Sequence, residues 1–378
     1  MGQNVDSPMP ENSKKKYAVI GGGHGGLAMA GALAVQGFSV NMFNKTAERI
    51  KYIKMMGGIQ VSGKMDGFGR LNRVTHRIKE ALEDVDIIMV VIPATGHRYV
   101  AEICAQYLQD GQMVVLNPGR TGGALEFRAV LRKANVKADV IIAEAQTFIF
   151  ASRTIGPAQS RIFGIKNVVP VAALPAMKTS RVVEALKEAF PQFVPADNIL
   201  QTSFDNIGAI FHPAPTILNS ARIESTAGDF EYYHEGITPG VAKIIEQMDH
   251  ERIAVADALG LKAISSHEWL DSAYGATGST LYDAIQNNIG YKGIKAPSNL
   301  QHRYIFEDVP ASLVPIASIG DMLGVETEMI KAIIRLATGI HGVDYWSTGR
   351  NVQRLGIAGM TAEQIVELAE KGNDDNEN

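Results

Sequence analysis

Cysteine is almost absent from this sequence: Cys104 is the only one among 378 residues. A single cysteine excludes an intrachain disulfide and fits a reducing compartment, so we expect a cytoplasmic protein. Cys104 stands in the apolar helical stretch Val100–Tyr107. A free cysteine in such a place usually behaves as a small buried hydrophobe, and we interpret it as a core residue rather than a nucleophile.

Long apolar runs and an excess of charge are also missing. The longest buried-strand candidate, Ile87–Ala94, is far shorter than the roughly 18 residues of a membrane span, so no membrane association is expected. A net charge of -4 lacks the excess of positive charge that is typical of nucleic-acid-binding proteins, so no nucleic-acid partner is expected. His234 has Glu231 and Glu235 nearby, but no second histidine-rich motif completes a ligand set, so no metal site is expected. Polar composition predicts a flexible leader over residues 1–14 and a disordered tail over 371–378.

What the sequence does contain is an alternation of β-branched runs and helical stretches up to about Phe193. This pattern predicts an α/β fold with an N-terminal Rossmann-type, doubly wound parallel sheet over residues 15–194. The predicted strands are Tyr17–Gly21, Phe38–Phe43, Asp86–Ile92, Gln112–Leu116 and Val140–Ala143, the helices Gly25–Gln36 and Ala47–Met56, and a hairpin Gly57–Gly69.

Beyond Pro195 the pattern becomes helical without intervening strands. It predicts a mainly α-helical second domain over residues 195–370. The predicted helices are Asp197–Glu224, Pro239–Gly260, Thr280–Gln286, Val314–Met322 and Thr327–Thr338.

A glycine-rich turn follows the first predicted strand and opens the first helix. Gly21, Gly23 and Gly26 have the spacing of a dinucleotide-binding fingerprint. In that fingerprint the first glycine permits a tight turn, the second lets the backbone approach a pyrophosphate, and the third lets the helix pack closely against the strand. The strand–turn–helix–strand context makes a dinucleotide site the favoured interpretation over a turn that serves packing alone. His24 and Gly25 belong to the same turn, and we interpret His24 as a tolerated turn residue rather than a catalyst.

The end of the second strand bears on the choice between NADP and NAD. An NAD enzyme usually carries an acid there for the ribose hydroxyls, whereas this chain has Asn44 and Lys45, with Arg49 one turn further on. Cations suit a 2′-phosphate, so NADP is the preferred prediction and NAD stays possible; solvated cations with relaxed cofactor choice are the alternative. Pro93, at the end of another buried strand, is predicted to face the cofactor, and His97 is a further candidate near the nicotinamide.

Two further places could bind substrate. The turn Leu116–Gly123, with Thr121, offers successive backbone N–H groups for a carboxylate, although a purely structural turn fits equally well. His212 is one of nine histidines, and Pro213 and Pro215 predict a kink beside it. A histidine titrates near neutrality and suits proton transfer. Spacing alone offers Asp205 or Asn219, seven residues to either side, as its partner.

Four segments, taken together, resemble the opine dehydrogenases, particularly the bacterial carboxyethyl-norvaline type. They are Leu116–Arg128, Phe211–Asn219, Glu235–Pro239 and Asn299–Val309, and the similarity runs from Lys16 to about Ala369. The resemblance implies reduction of an imine formed from a 2-oxo acid, commonly pyruvate, and the amino group of an amino acid or amine. It implies that His212 is the acid/base, that Asp308 orients it, and that Arg303 binds the carboxylate of the oxo acid. It also implies a homodimer through the helical half.

At Asn44 the chain departs from the acid of that bacterial relative, so cofactor preference is not carried over. The leading prediction is an NADP-preferring opine dehydrogenase. The rivals are a reductase of simple 2-oxo acids with the same two-domain plan and a non-catalytic protein that senses NADPH.

Overall fold

A twisted sheet of eight strands organises the N-terminal half of the computed structural model, which describes residues 14–372. Most of the predicted leader and tail, residues 1–13 and 373–378, lies outside the described residues. The described residues form twelve strands: β1 Lys16–Ile20, β2 Ser39–Phe43, β3 Gly58–Gly63, β4 Gly67–Arg70, β5 Arg73–Thr75, β6 Ile87–Val90, β7 Met113–Leu116, β8 Ile141–Ala145, β9 Phe150–Gly156, β10 Gln159–Ile165, β11 Val169–Leu174 and β12 Phe193–Pro195.

The large sheet has the order β12-β11-β8-β7-β6-β1-β2-β5. Its strands from β8 to β5 are parallel, and β11 pairs antiparallel to β8. Neighbouring residues of β1 point into different cores, because Tyr17 and Val19 pack in one cluster and Ala18 and Ile20 in the other. Burial on both faces is what a doubly wound sheet requires. The predicted fold class is confirmed, with an antiparallel edge that the sequence patterns did not show.

Six helices accompany these strands: α1 His24–Val35, α2 Ala47–Met56, α3 Ile78–Leu82, α4 His97–Cys104, α5 Gly123–Lys133 and α6 Thr179–Lys187. Cys104 is buried at the end of α4, and burial raises the pKa of its thiol to about 12, as expected of a core residue. A proton held so firmly leaves little thiolate for nucleophilic chemistry.

A smaller sheet of order β4-β3-β10-β9 covers α1. The predicted hairpin over Gly57–Gly69 is present as the antiparallel pair of β3 and β4, and β10 joins β3 in parallel. Helix and sheet touch so closely that a Cβ at Gly31 would lie 2.5 Å from Val61 Cγ2. This small sheet fixes α1, the helix that the glycine turn opens.

The C-terminal half is helical. Its helices are α7 Ile199–Phe204, α8 Gly208–Phe211, α9 Pro213–Leu218, α10 Ser220–Thr226, α11 Pro239–Ala258, α12 Ser266–Tyr274, α13 Leu281–Asn287, α14 Arg303–Phe306, α15 Val314–Leu323, α16 Glu328–His341, α17 Tyr345–Thr348, α18 Val352–Leu355 and α19 Ala362–Lys371, with a π-helical turn over Val309–Leu313. Among the described residues, none of these helices has the length and apolarity that crossing a bilayer would need.

The helical stretch predicted over Asp197–Glu224 is present as four short helices, and one of its breaks is the kink predicted beside His212. Asn198 caps the first of them by accepting from the amides of Leu200 and Gln201. Pro213 is the first residue of α9, a position whose N–H would have no partner within the helix. Pro215 has no N–H either, so it cannot continue the helical hydrogen bonds from α8 into α9. His212 therefore lies at the junction of two helices, where the chain turns.

Candidate active site

The glycine turn between β1 and α1 has the shape that a pyrophosphate requires. Gly21 has φ +134°, and a Cβ there would lie 2.2 Å from the carbonyl oxygen of Val91. A Cβ at Gly26 would lie 2.0 Å from the carbonyl oxygen of Gly21, so only glycine lets helix and strand meet. Beside Gly23, by contrast, nothing lies within 4 Å of the added Cβ. The turn thus has an open face at the start of a helix, where backbone N–H groups can receive phosphate.

Gly25 and His24, two further residues of the turn, contact the rest of the N-terminal half. A Cβ at Gly25 would lie 3.0 Å from Val91 Cγ1 and 3.1 Å from the ring of Phe148. His24 is exposed, and its Nδ1 accepts a hydrogen bond from the backbone N of Thr154 at 3.0 Å. His24 therefore attaches β9 to the turn, which is a structural contact next to the phosphate-binding face.

Asn44 ties the end of β2 to the same turn. Its Oδ1 accepts from the Gly22 amide at 3.0 Å and its Nδ2 donates to the Thr46 carbonyl at 2.9 Å. Lys45 and Arg49 are exposed beside it, and the Lys45 ammonium lies 5.5 Å from the centre of the Tyr99 ring. No carboxylate stands at residues 44–47, where β2 ends, and the exposed Glu48 follows in the first turn of α2, between the two cations.

Pro93 is exposed just after β6, at the same edge of the sheet. The next amide, that of Ala94, donates to Glu307 Oε1 at 3.1 Å. Glu307 belongs to the helical half and is buried. The turn after β6 is thereby fixed to the segment that carries Arg303 and Asp308.

His212 and Asp308 form the centre of the site. His212 Nδ1 lies 2.9 Å from Asp308 Oδ2, and the imidazole ring stacks on Tyr304 with centroids 4.0 Å apart. The His212 carbonyl accepts from Tyr232 Oη at 2.7 Å and from Thr216 Oγ1 at 2.8 Å, which also fixes the backbone. Because Asp308 engages Nδ1, Nε2 is the ring nitrogen left for proton transfer.

The Asp308 carboxylate is completely buried and paired on both oxygens. Burial raises the pKa of this carboxyl, but the charges of Arg120 and His212 outweigh burial, so the pKa falls below its ordinary value. Arg120 Nη1 lies 2.7 Å from Asp308 Oδ1. Asp308 therefore stays ionised near neutrality, where it orients the imidazole and supports a protonated ring.

Arg120 was not among the predicted site residues. It is buried, stands at φ +60° and also lies 3.4 Å from Asn206 Oδ1 through Nη1. The only signal in the sequence was its place in the second glycine-rich turn, immediately before Thr121.

Arg303 lies at the start of α14 with half of its side chain exposed (50%). Its Nε pairs with Glu307 Oε2 at 2.9 Å. This contact uses one edge of the guanidinium and leaves the group reachable from solvent. Arg303, Glu307 and Asp308 thus share one short segment, with the exposed arginine available for a ligand anion.

Thr121 does not contact His212, Asp308 or Arg303 through any hydrogen bond described for it. Its side chain is buried, its amide donates to the Ala311 carbonyl at 3.2 Å, and its hydroxyl donates to the Ser203 carbonyl at 3.4 Å. The donors through which Thr121 was expected to bind substrate are thus occupied inside the protein. In this turn Arg120, rather than Thr121, approaches the histidine and aspartate.

The alternative candidates from the sequence, Asp205, Asn219 and His97, form hydrogen bonds with other parts of the protein. Asp205 accepts from the Ile264 amide, and the Asn219 side chain donates to the carbonyls of Pro215 and Gly236. His97 is fully buried; burial first, then Arg350 and Arg120, lower its pKa well below the ordinary value. His97 is therefore a neutral internal residue that accepts from Arg350 through Nδ1 at 3.2 Å.

Arg350, a residue of the helical half, binds the turn after β6 and the turn after β7. Its Nε donates to Glu126 Oε2 at 2.8 Å, Nη1 donates to the carbonyls of Gly119 and Thr121, and Nη2 donates to that of Ala94. All of these groups are buried. Sequence inspection missed Arg350, because its partner Glu126 lies 224 residues away.

Metal ligands are not gathered anywhere in residues 14–372: no three or more histidine, cysteine, aspartate or glutamate side chains form a group that could hold an ion. The described chemistry is that of a dinucleotide fold with a histidine, a carboxylate and arginines at the carboxyl ends of parallel strands. In open α/β sheets this edge is where ligands bind.

Comparison with known proteins identifies this class. Residues 195–341 match the family model for the α-helical domain of NAD/NADP octopine/nopaline dehydrogenase, and residues 16–119 match the N-terminus of NAD-dependent glycerol-3-phosphate dehydrogenase. The opine dehydrogenase of Arthrobacter sp. (strain 1C) is 41% identical over 357 residues, which cover 94% of this chain and 99% of that protein. The chain belongs to the opine dehydrogenase family and is an NAD(P)-dependent oxidoreductase acting on CH–NH bonds.

Solved structures agree on the fold. An octopine dehydrogenase structure with NADH and L-arginine has a TM-score of 0.80 at 22% identity and covers 97% of this chain and 100% of that one. Yersinopine dehydrogenase with NADP+ bound has a TM-score of 0.67 at 14% identity, with 95% and 98% covered. The family and the enzyme class predicted from the sequence are confirmed, and members of this fold bind either nicotinamide dinucleotide.

Proposed function

We propose that the protein uses NADPH to reduce the imine formed between a 2-oxo acid such as pyruvate and the amino group of an amino acid or amine. The observation that carries this proposal is the contact of 2.9 Å between His212 Nδ1 and Asp308 Oδ2. Arg303, five residues before Asp308, supplies an accessible cation beside this pair.

Each group has a defined task in the proposed reaction. Arg303 binds the carboxylate of the oxo acid, for which a guanidinium offers parallel N–H donors. His212 Nε2 accepts a proton from the attacking amine and delivers it to the carbonyl oxygen. A second proton, taken up from solvent and delivered in the same way, lets that oxygen depart as water when the protonated imine forms. Asp308 holds the proton on Nδ1 and stabilises the imidazolium, and Arg120 keeps Asp308 ionised. The bound nicotinamide supplies the hydride.

The test is oxidation of NADPH with pyruvate alone and with pyruvate plus each amino acid of a panel. Rapid oxidation is expected only when the oxo acid and an amine are both present, because the reducible C=N bond exists only then. Equal oxidation without any amine would indicate a 2-oxo acid reductase. Binding of NADPH with no oxidation under any pairing would indicate a sensing protein.

We also propose that NADP is preferred over NAD. Asn44 is engaged with the glycine turn, and two of the three exposed charged residues that follow it, Lys45 and Arg49, are cations, against one acid, Glu48. A 2′-phosphate beside two cations gains charge-assisted hydrogen bonds that a 2′-hydroxyl does not.

Reversing both charges, with Lys45→Glu and Arg49→Glu together, should weaken NADPH binding by about 10- to 100-fold and change NADH binding much less. Fluorescence titration of the two reduced nucleotides measures this difference. Lys54→Glu, an exposed change at the other end of α2, is the matched control and should leave both affinities unchanged. Tighter binding of NADH than of NADPH by the unmodified protein would contradict the preference.

We further propose a nucleotide domain over residues 15–194, a substrate domain over 195–370, and a cytoplasmic homodimer formed through the helical half. Large apolar side chains are exposed together at the end of α16 and just after it: Leu336, Ile340, Val343 and Trp346. Contiguous exposed apolar side chains often mark a protein interface. The single, buried cysteine fits a reducing compartment.

A further inference from the structure

A lysine with no carboxylate partner stands beside the proposed site. Lys166 directly follows β10, and its Nζ donates to Thr147 Oγ1 at 2.6 Å. Thr147 in turn lies two residues beyond the end of β8, at the carboxyl edge of the sheet. Within residues 14–372, no aspartate or glutamate oxygen is paired with this ammonium.

Lys166 lies next to the turn that carries Arg120, because the Gly119 amide donates to the carbonyl of Ala145, two residues before Thr147, at 3.1 Å. The residue is exposed to solvent, yet enough protein surrounds the ammonium that burial lowers its pKa to about 8, with a further contribution from Arg120. Arg120 in turn pairs with Asp308. Gln146, the residue before Thr147, donates through Nε2 to the Asp205 carbonyl of the helical half at 2.8 Å, so this segment and Lys166 lie where the two halves meet, on the side of Arg120 and the His212–Asp308 pair.

Lys166 is the cation of this group that has no carboxylate partner among residues 14–372. Arg120 pairs with Glu307 and Asp308, and Arg303 pairs with Glu307. Both arginines are already paired, whereas Lys166 is not. A cation partly removed from water and placed near another cation is unfavourable unless an anion joins it. A bound carboxylate would supply that anion.

We propose that Lys166 binds the carboxylate of the amino-acid substrate, while Arg303 binds that of the oxo acid. This inference rests on the proposed function, whose product carries two carboxylates on either side of a secondary amine. The Thr147 hydroxyl accepts one of the three N–H donors of the ammonium and leaves two for a ligand. Anchoring each substrate by its own carboxylate brings the amine and the carbonyl carbon together beside His212.

The test compares Lys166→Met, which keeps the length and removes the charge, with Lys166→Arg, which keeps the charge. The methionine variant should raise KM for the amino acid by about 10- to 100-fold, as loss of a charge-assisted hydrogen bond does. Its KM for pyruvate and Kd for NADPH should stay nearly unchanged. The arginine variant should recover most of the lost affinity, and Thr147→Val should raise KM for the amino acid by a smaller factor.

A second readout uses the decarboxylated amine that corresponds to the amino acid. The unmodified enzyme should prefer the amino acid, and Lys166→Met should lose that preference because the amine has no carboxylate for Lys166 to bind. Lys187→Met removes an exposed lysine of α6 and is the matched control. Unfolding temperature and NADPH titration show whether each variant is folded.

Two results would overturn the inference: an unchanged preference for the amino acid in Lys166→Met, or a loss confined to pyruvate or NADPH. In both cases an amine-dependent reaction of the unmodified enzyme leaves the proposed function standing. Absence of any amine dependence in the unmodified enzyme would instead overturn the proposed function, before any variant is compared.

Discussion

Replacing His212 with alanine should lower turnover by about a hundredfold or more, the usual contribution of a general acid/base. The structure gives the reason: Asp308 occupies Nδ1, Tyr304 supports the ring face, and Nε2 is left for the substrate. Without the imidazole, no residue held at this position can take the proton of the amine and return it to the departing oxygen.

NADPH binding should remain nearly intact in His212→Ala, because the glycine turn is formed by β1 and α1, away from the helix junction that carries His212. Stopped turnover with an unchanged NADPH Kd separates loss of chemistry from loss of fold. His250→Ala, an exposed change on α11, is the control and should keep full activity. Turnover retained by His212→Ala would remove this histidine from the mechanism.

Replacing Arg350 with methionine should lower the free energy of unfolding by about 3 to 5 kcal/mol, as does removal of one partner of a buried ion pair. Burial raises the pKa of Glu126, and Arg350 and Arg354 outweigh burial and lower it, so this carboxylate is charged in the folded protein. Without Arg350, Glu126 keeps only Arg354, and the carbonyls of Gly119 and Thr121 lose their donor.

Chemical denaturation in urea measures this loss, and Arg335→Met, which alters an exposed arginine of α16, should change stability by no more than about 0.5 kcal/mol. The double variant Arg350→Met, Glu126→Leu should recover part of the stability, because the unpaired buried charge is then gone as well. A loss below about 1 kcal/mol in the single variant would show that these contacts contribute little net stabilisation. Since Arg350 also holds the turns after β6 and β7, turnover should fall with stability.

The N-terminal fold could be predicted because its signals are local. β1, β2, β6, β7 and β8 follow β-branched runs, and the glycine spacing depends on one turn. β9 and β10 alternate between buried and exposed residues and could have been found as a hairpin. β11 contains Pro170, which weakens a strand pattern, and its pairing with β8 depends on a connection of many residues.

The helical half was harder to predict, because hydrophobic periodicity continues across breaks in the chain. Asp197–Glu224 has a helical pattern throughout although it forms four short helices, and Pro213 and Pro215 mark only the break at His212. The breaks have function, since the junction at His212 aims the imidazole at Asp308. Resemblance to the family pointed to this pair, whereas spacing alone favoured Asp205 or Asn219.

Residues whose roles depend on distant contacts were not found from the sequence. Arg120 reaches Asp308 only because the turn after β7 packs under the helical half, and Arg350 reaches Glu126 in the same way. Lys166 looked like any surface lysine until the fold placed it beside Thr147 and near Arg120. Thr121 was chosen for the backbone N–H groups of its turn, but in the fold its amide donates to the Ala311 carbonyl and its hydroxyl to the Ser203 carbonyl.

The central claim is that hydride reaches a carbon bonded to nitrogen, and one product analysis tests it directly. The enzyme is supplied with pyruvate, an amino acid that supports turnover, and NADPH carrying deuterium at the transferable position. Mass spectrometry should find the deuterium in an N-(1-carboxyethyl) amino acid, on the carbon that was the pyruvate carbonyl. Deuterium found instead in lactate, with the amino acid unchanged, would contradict the proposed reaction.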